Sequence, residues 1–448
     1  MIPEASGRSR PLSRRAVLLT PLALAGCETI EGWFTTKKTP LPGTREPLAT
    51  PRLGFAPDTS APVVALPPAA RDPAWPQAGG NPTHLMGHLA AGASLTPAWH
   101  ADLGEGGGYR RKILAQPVAA NGTVFAMDSN AVITAHDLNG GARLWRTKTV
   151  DEDLDSTNVG GGLCWSNGTL YAVNGLSELL ALDPAKGAVK WRHGIDVPAR
   201  SAPTVADGRI FLTTIDSKLL ALSADDGHQL WTYQATQSPT TVLGTAAPAV
   251  AQGFVIAGFG SGEIAALRVE SGTAIWTDGL GVAQGPSTLV EFLAIRGDPV
   301  ISNGQVFVTG MGGLTIAADL LTGRRVWERR VAGANTPWIA GDWLFMVSRN
   351  QEIGAIAINE ARVSWVADLP RWVDPEKKKD VITWFGPVLA GGRLIVLGSN
   401  KQMMSVNPVN GQTISSQELS DTPSPFPPIV VDGTVLVVTE DGRLTAWR

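Results

Sequence analysis

The chain has 448 residues, 44% apolar and 17% charged, and its formal net charge of −3 leaves no broad basic surface to attract nucleic acid or acidic lipid. Nucleic acid is therefore not expected as a partner. Fifty glycines, 32 prolines and 15 tryptophans against three tyrosines form a skewed composition, the kind that internal repeats produce.

The first feature in chain order is "LLTPLALAGCETI" at 18–30. The apolar run at 16–25 is about ten residues, short of the roughly 20 that cross a bilayer core, so it is not a membrane span. Arg8, Arg10, Arg14 and Arg15 precede it and the small residues Ala25 and Gly26 follow, which is the layout of a secretory signal. Leu24-Ala25-Gly26-Cys27 resembles the lipobox of bacterial lipoproteins. That resemblance implies cleavage after residue 26, lipid attachment at Cys27 and, with Glu28 instead of Asp, transfer to the outer membrane. A plain cleaved signal with an incidental cysteine is the alternative. One acyl chain binds a membrane marginally and several anchor stably. With Cys27 acylated only Cys164 remains, so no intramolecular disulfide is expected.

Residues 35–73 contain nine prolines, in stretches such as "TPLPGTREPLATP" and "ALPPAARDP". Such a segment buries too little apolar surface to order itself, and 27–74 reads as a lipid-anchored tether. "PVVAL" at 62–66 is the part suited to lie along a sheet edge. A folded body is expected over 75–448.

From residue 117 the sequence repeats. "PVAANGTVFAMDSNAVITAHDLNGGARLW" (117–145) shares a frame with 203–231, 248–276 and 299–327: Pro, Gly five positions on, Gly 24 on, Trp 28 on. The stretch 163–191 keeps the frame with Leu for Pro, 337–365 loosens its glycines, and the unit from Pro387 lacks the Trp. Each unit reads as four short strands joined by Gly-bearing turns such as Asn121-Gly122. Four strands per 40–50 residues is the signature of a β-propeller. The last unit starts at Pro428 and the chain stops one strand short. "SLTPAWHADL" (94–103) supplies a fourth strand, with Trp99, that has no first three strands before it. The expected fold is all-β: an eight-bladed propeller whose last blade is closed by strand 94–103, leaving no free sheet edge.

Trp99, Trp145, Trp191, Trp231, Trp276, Trp327 and Trp365 fall on the repeat frame and read as structural packing between blades instead of a binding ladder. The tight turns fall on one face. The long connections 148–162, 232–247, 277–298 and 366–386 fall on the other, and insertions concentrated on one face of a repeat array mark the binding face. There Val242, Leu243, Phe292 and Leu293 are apolar residues that either anchor a partner or fold back onto the blades. Arg371, Lys377, Lys378 and Lys379 read as a solvated face.

Catalytic chemistry is hard to find. His84 and His88 are four apart, but "GGNPTHLMGHLA" is too rich in Gly and Pro for a dependable helix and no third ligand is evident, so no metal is expected. His100, His136, His193 and His228 read as surface or turn residues near strand ends. Cys164 reads as a small buried thiol on a first strand. "LGEGGGYRRK" (103–112) lacks the GK[ST] of a phosphate loop and reads as a connection.

The endings "ALDPAKGAVKW" (181–191) and "AADLLTGRRVW" (317–327) resemble the repeats of pyrroloquinoline-quinone dehydrogenases. Many of those enzymes carry adjacent cysteines and a calcium site beside the cofactor, and this chain has no Cys-Cys. Lipobox, Pro-rich tether and eight such repeats together resemble the BamB family, lipoproteins of the outer-membrane β-barrel assembly machinery, and "WPQAGGNPTH", "LPGTREPLA" and "DPEKKKDVITW" resemble its alphaproteobacterial version. This resemblance implies a cofactor-free, non-catalytic scaffold, lipid-anchored on the periplasmic side of the outer membrane. It would bind the periplasmic domains of BamA and other assembly-machinery subunits and aid barrel-protein insertion, with unfolded outer-membrane proteins as a further partner class. The family's contact positions correspond here to Thr240, Val242 and Leu243 in "PTTVLGTAAP" and to Glu291, Arg296 and Asp298 in "VEFLAIRGDP", with Leu243 and Arg296 departing from the family's residue types; Phe292 joins this expected partner-binding set as an apolar residue of the same connection. A quinone-dependent dehydrogenase and an envelope polymer-binding lipoprotein are the alternatives.

Overall fold

The computed structural model describes residues 55–448 except 110, 151–159, 200, 239–243 and 282–292. Cys27 and the stretches 1–26 and 27–54 lie outside the described residues. The described chain has 34 strands and no helix. Eight four-stranded antiparallel sheets follow one another as the blades of a propeller. The first runs β2 (Val118–Ala120), β3 (Thr123–Met127), β4 (Val132–Asp137) and β5 (Arg143–Lys148) from the axis outward. The eighth consists of β32 (Ile429–Val431), β33 (Thr434–Val438), β34 (Arg443–Trp447) and, outermost, β1 (Pro97–Asp102). The register of that closure pairs Trp99 with Ala446 and Asp102 with Arg443.

Packing between blades follows from the repeat frame. Trp145, Trp191, Trp231, Trp276, Trp327 and Trp365 each stand opposite an alanine of the neighbouring third strand, as Trp99 stands opposite Ala446. A register shift lies beside each of these pairs, and such a bulge re-aims a side chain. The indole then reaches the next blade. Trp145 Nε1 donates to Pro184 O at 2.8 Å, Trp231 Nε1 to Val269 O at 2.9 Å and Trp276 Nε1 to Leu320 O at 2.9 Å. Trp99 Nε1 donates to Leu138 O at 3.1 Å, which carries the same contact from the eighth blade to the first. In most repeats the second glycine lies under the preceding blade's ring, the sixth blade having Ala361 at φ +55° instead: at Gly272, with φ +69°, a Cβ would stand 2.6 Å from Trp231. At Gly272 only glycine fits both the left-handed backbone and the close approach. These tryptophans are half-buried except Trp365, which is buried. Each spans an interblade seam, and the outer edges of the half-buried ones stay in contact with water.

Middle strands are covered on both faces by neighbouring blades. This corrects the expectation for His136, which sits within β4 at 1% exposure with Nδ1 3.1 Å from Gly141 O, neither at the surface nor in a turn. The same enclosure leaves Cys164, in β6 (Gly161–Ser166), fully buried, and burial pushes its thiol well above the usual range. In a variant with Cys27 replaced by Ser, Cys164 will fail to react with Ellman's reagent in the folded protein and react fully in denaturant. Rapid reaction without denaturant would contradict this packing.

The proline-rich segment reaches the blades from Phe55, which is 6% exposed among Phe307, Ile339 and Val363. Asp58 accepts from Val363 N at 2.7 Å and pairs with Arg329, and Pro62 O accepts from Ser364 Oγ at 2.8 Å. Residues 62–66 therefore run beside β25 (Arg362–Asp368), with Val64 buried.

Residues 72–91 form a belt inside the ring. The inner edge of each first strand faces the axis with backbone groups that need partners. The belt meets all eight in order. Asp432 N donates to Asp72 O at 2.7 Å; Trp75 N and O bond Ala119 at 2.7 and 2.8 Å; Trp165 N donates to Pro76 O at 2.7 Å. Gln77 brackets Val205 through its amide, Oε1 accepting at 2.9 Å and Nε2 donating at 3.2 Å. Val250 N donates to Pro82 O at 2.7 Å and Ile301 N to Thr83 O at 2.9 Å. Trp338 Nε1 donates to Gly87 O at 2.7 Å, and Leu89 O accepts from Gly391 N at 2.8 Å. The belt's sharpest bend uses Gly79 and Gly80, with φ +66° and +93°; a Cβ on Gly80 would collide with Met86.

Candidate functional site

The belt bonds to the first strands mainly at their middle and far ends. What remains is a cup of about 240 Å³ opening toward the long connections. Its walls are the residues just ahead of each blade's first strand, and its floor includes Trp75, Gly79 and His84. Aromatic surface dominates one side, with Trp338, Trp384, Phe385 and Phe426. Trp75 stacks on Trp338 with ring centroids 6.3 Å apart and planes 21° apart.

Three polar groups stand in this setting. Asp298 Oδ1 accepts from Ala247 N at 2.7 Å while its backbone N–H donates to Thr336 Oγ1 at 2.9 Å, so the residue links three blades. Burial, only partly offset by His84 and these hydrogen bonds, holds its carboxyl above the usual range. His84 is 4% exposed, with Nδ1 2.7 Å from Pro299 O; a carbonyl accepts, so Nδ1 carries the proton. Nε2 has no partner, and neither does Trp75 Nε1. Arg296 stands at the mouth, its side chain open to water on one side, with no hydrogen bond or ion pair among the described residues. Partial desolvation lowers its pKa, and no carboxylate among the described residues pairs with the guanidinium.

Of the seven residues expected to contact a partner, Thr240, Val242, Leu243, Glu291 and Phe292 lie outside the described residues. Arg296 and Asp298 come together in the cup. On the same face, the connection 366–386 forms a separate hairpin, β26 (Trp372–Asp374) with β27 (Lys379–Val381), which exposes Val373, Val381 and Lys377–Lys379. His88 binds Pro67 O through Nδ1 at 2.7 Å and accepts from Gly392 N through Nε2 at 3.0 Å, so both ring nitrogens are used within the fold. Among the described residues no three His, Cys, Asp or Glu side chains converge as a metal site would require.

Sequence reasoning missed the cup's floor and walls. The available signal was partial: of the tryptophans off the repeat frame, Trp75, Trp338 and Trp384 line the cup, whereas Trp165, Trp343, Trp372 and Trp447 do not.

A family model described as outer membrane protein assembly factor BamB matches residues 129–367. The BamB of Salmonella typhimurium is 26% identical over 355 residues, covering 78% of this chain and 88% of the relative. That of Escherichia coli K12 is 26% identical over 353 residues, with the same coverages. Among solved structures, BamB from Moraxella catarrhalis superposes with a TM-score of 0.67 at 19% identity, covering 79% of this chain and 100% of that one. The quinohemoprotein alcohol dehydrogenase of Comamonas testosteroni gives 0.63 at 13% identity, covering 85% and 81%. At these identities the structural likenesses establish the propeller alone.

Proposed function

Since this chain belongs to the family of outer-membrane protein assembly factors called BamB, we propose that it is a non-catalytic scaffold of the outer-membrane β-barrel assembly machinery. In this reading Cys27 is acylated, the stretch after it tethers the propeller to the periplasmic side of the outer membrane, and the long-connection face docks the periplasmic domains of BamA. The observation that carries the reading is the asymmetry of the two faces. One has only tight turns. The other has the long connections, the hairpin with its exposed valines, and Arg296, which has no ion pair among the described residues. A few apolar anchors in such loops can supply most of a binding energy. Val242, Leu243 and Phe292 are the proposed anchors, with Thr240 and Glu291 beside them and Arg296 and Asp298 at the inner margin.

Photo-crosslinking side chains at Val242 and Leu243 in intact envelopes are expected to capture BamA, while the same probe at Asn121 or Asp207, on the tight-turn face, captures nothing specific. Capture from the tight-turn positions alone would remove the assignment.

A further inference from the structure

The cup is more than the hole left by closing eight sheets in a ring. The belt residues Trp75, Gly79 and His84 floor the cup, and the residues ahead of the first strands, on the long-connection side, wall it. Ring surfaces of Trp338, Trp384 and Phe426 form an apolar wall, and Arg296, without an ion pair among the described residues, brings a cation to its rim. The floor holds two buried nitrogens without partners, Trp75 Nε1 and His84 Nε2, where buried polar groups are ordinarily satisfied. An apolar pocket with a few convergent polar groups is the usual form of a small-molecule site.

We propose that the cup binds a small carboxylic acid with an apolar, ring-sized body, the ring against Trp338, Trp384 and Phe426 and the carboxylate on Arg296. A volume of about 240 Å³ falls just below the roughly 300–1,000 Å³ of drug-sized pockets, so the occupant is small. The guanidinium fork matches a carboxylate in two parallel hydrogen bonds. Asp298 leaves the guanidinium free, because its Oδ1 accepts from Ala247 N and it forms no ion pair with Arg296. The site is independent of the scaffold reading, since it requires no partner protein.

The test uses the purified full chain in detergent, titrated with benzoate, 3-phenylpropionate and indole-3-acetate and with the matching neutral amides. Saturation-transfer NMR reports ligand contact and tryptophan fluorescence reports the cup. At least one acid is expected to bind about tenfold or more tightly than its amide, the ratio a charge-assisted contact supplies. Arg296→Gln, a substitution that breaks no hydrogen bond, should abolish that preference, and Trp338→Phe should weaken acid and amide together. The proposal is overturned if no acid binds, if acids and amides bind alike, or if Arg296→Gln keeps the preference. Circular dichroism of each variant separates these outcomes from misfolding, and BamA crosslinking from Val242 reports the scaffold role separately.

Discussion

Replacing Trp75 by alanine will lower the stability of the propeller by about 3–5 kcal/mol, the cost of truncating a large buried aromatic. Trp75 is 1% exposed, stacks on Trp338 and lies in the core cluster that joins the first blade to the sixth, seventh and eighth. Its backbone bonds Ala119 in both directions, so the side chain is held where the belt first meets the ring. Removing it leaves a void continuous with the cup, which the rigid strand frame cannot collapse to fill. Since Nε1 has no partner, Trp75→Phe breaks no hydrogen bond and should cost much less than Trp75→Ala. Trp99→Ala, at a half-buried seam, should fall between the two. Urea unfolding followed by near-ultraviolet circular dichroism measures all three; a Trp75→Ala loss under about 1 kcal/mol would show that the belt is a passenger on the fold.

Ending the chain at Gly442 will prevent the ring from closing. The six residues removed include β34, which is the middle partner of the eighth blade, pairing β33 on one side and β1 on the other. Strands pair at about 4.8 Å, so without β34 its two neighbours stand near twice that distance and exchange no hydrogen bonds. Leu444, Ala446 and Trp447 leave the core with it, all at most 3% exposed. At about 1.5–3 kcal/mol for each large side chain, plus two ladders of hydrogen bonds at about 1 kcal/mol each, the loss rivals the whole net stability of a domain, about 5–15 kcal/mol. The truncated chain is expected to elute from size exclusion as aggregate and to lack the near-ultraviolet spectrum of packed tryptophan. A monomeric, cooperatively melting product would mean that seven blades and the belt suffice.

Much of the ring was legible beforehand. The spacing of Pro, Gly, Gly and Trp reports a contact that recurs in nearly every blade: the Trp of one unit over the second glycine of the next, as Trp231 lies over Gly272. A recurring side-chain contact leaves a recurring residue, so counting residues counted blades and located the eighth blade's missing strand at 94–103. His136 was misjudged because polarity marks the surface only where a strand has an open face. A middle strand between two blades has none, and its polar side chain bonds locally instead.

The candidate site was legible only in direction. Length of connection marked the face onto which the cup opens, but nothing in "WPQAGGNPTH" announced a belt, because its partners are mostly backbone groups at the first strands, and these carry no residue-specific signature. Arg296 and Asp298 were singled out as loop residues. Their meeting with Trp75, His84 and Trp338 in one cup depends on a circle closing, which brings together positions more than 200 apart in the chain. By itself, then, the sequence determined the strands of the blades, the number of blades and the place where the ends join, all consequences of local periodicity repeated eight times. The tertiary structure alone decided what fills the axis and which side chains face it, because the axis is where all eight units converge and no single repeat encodes it.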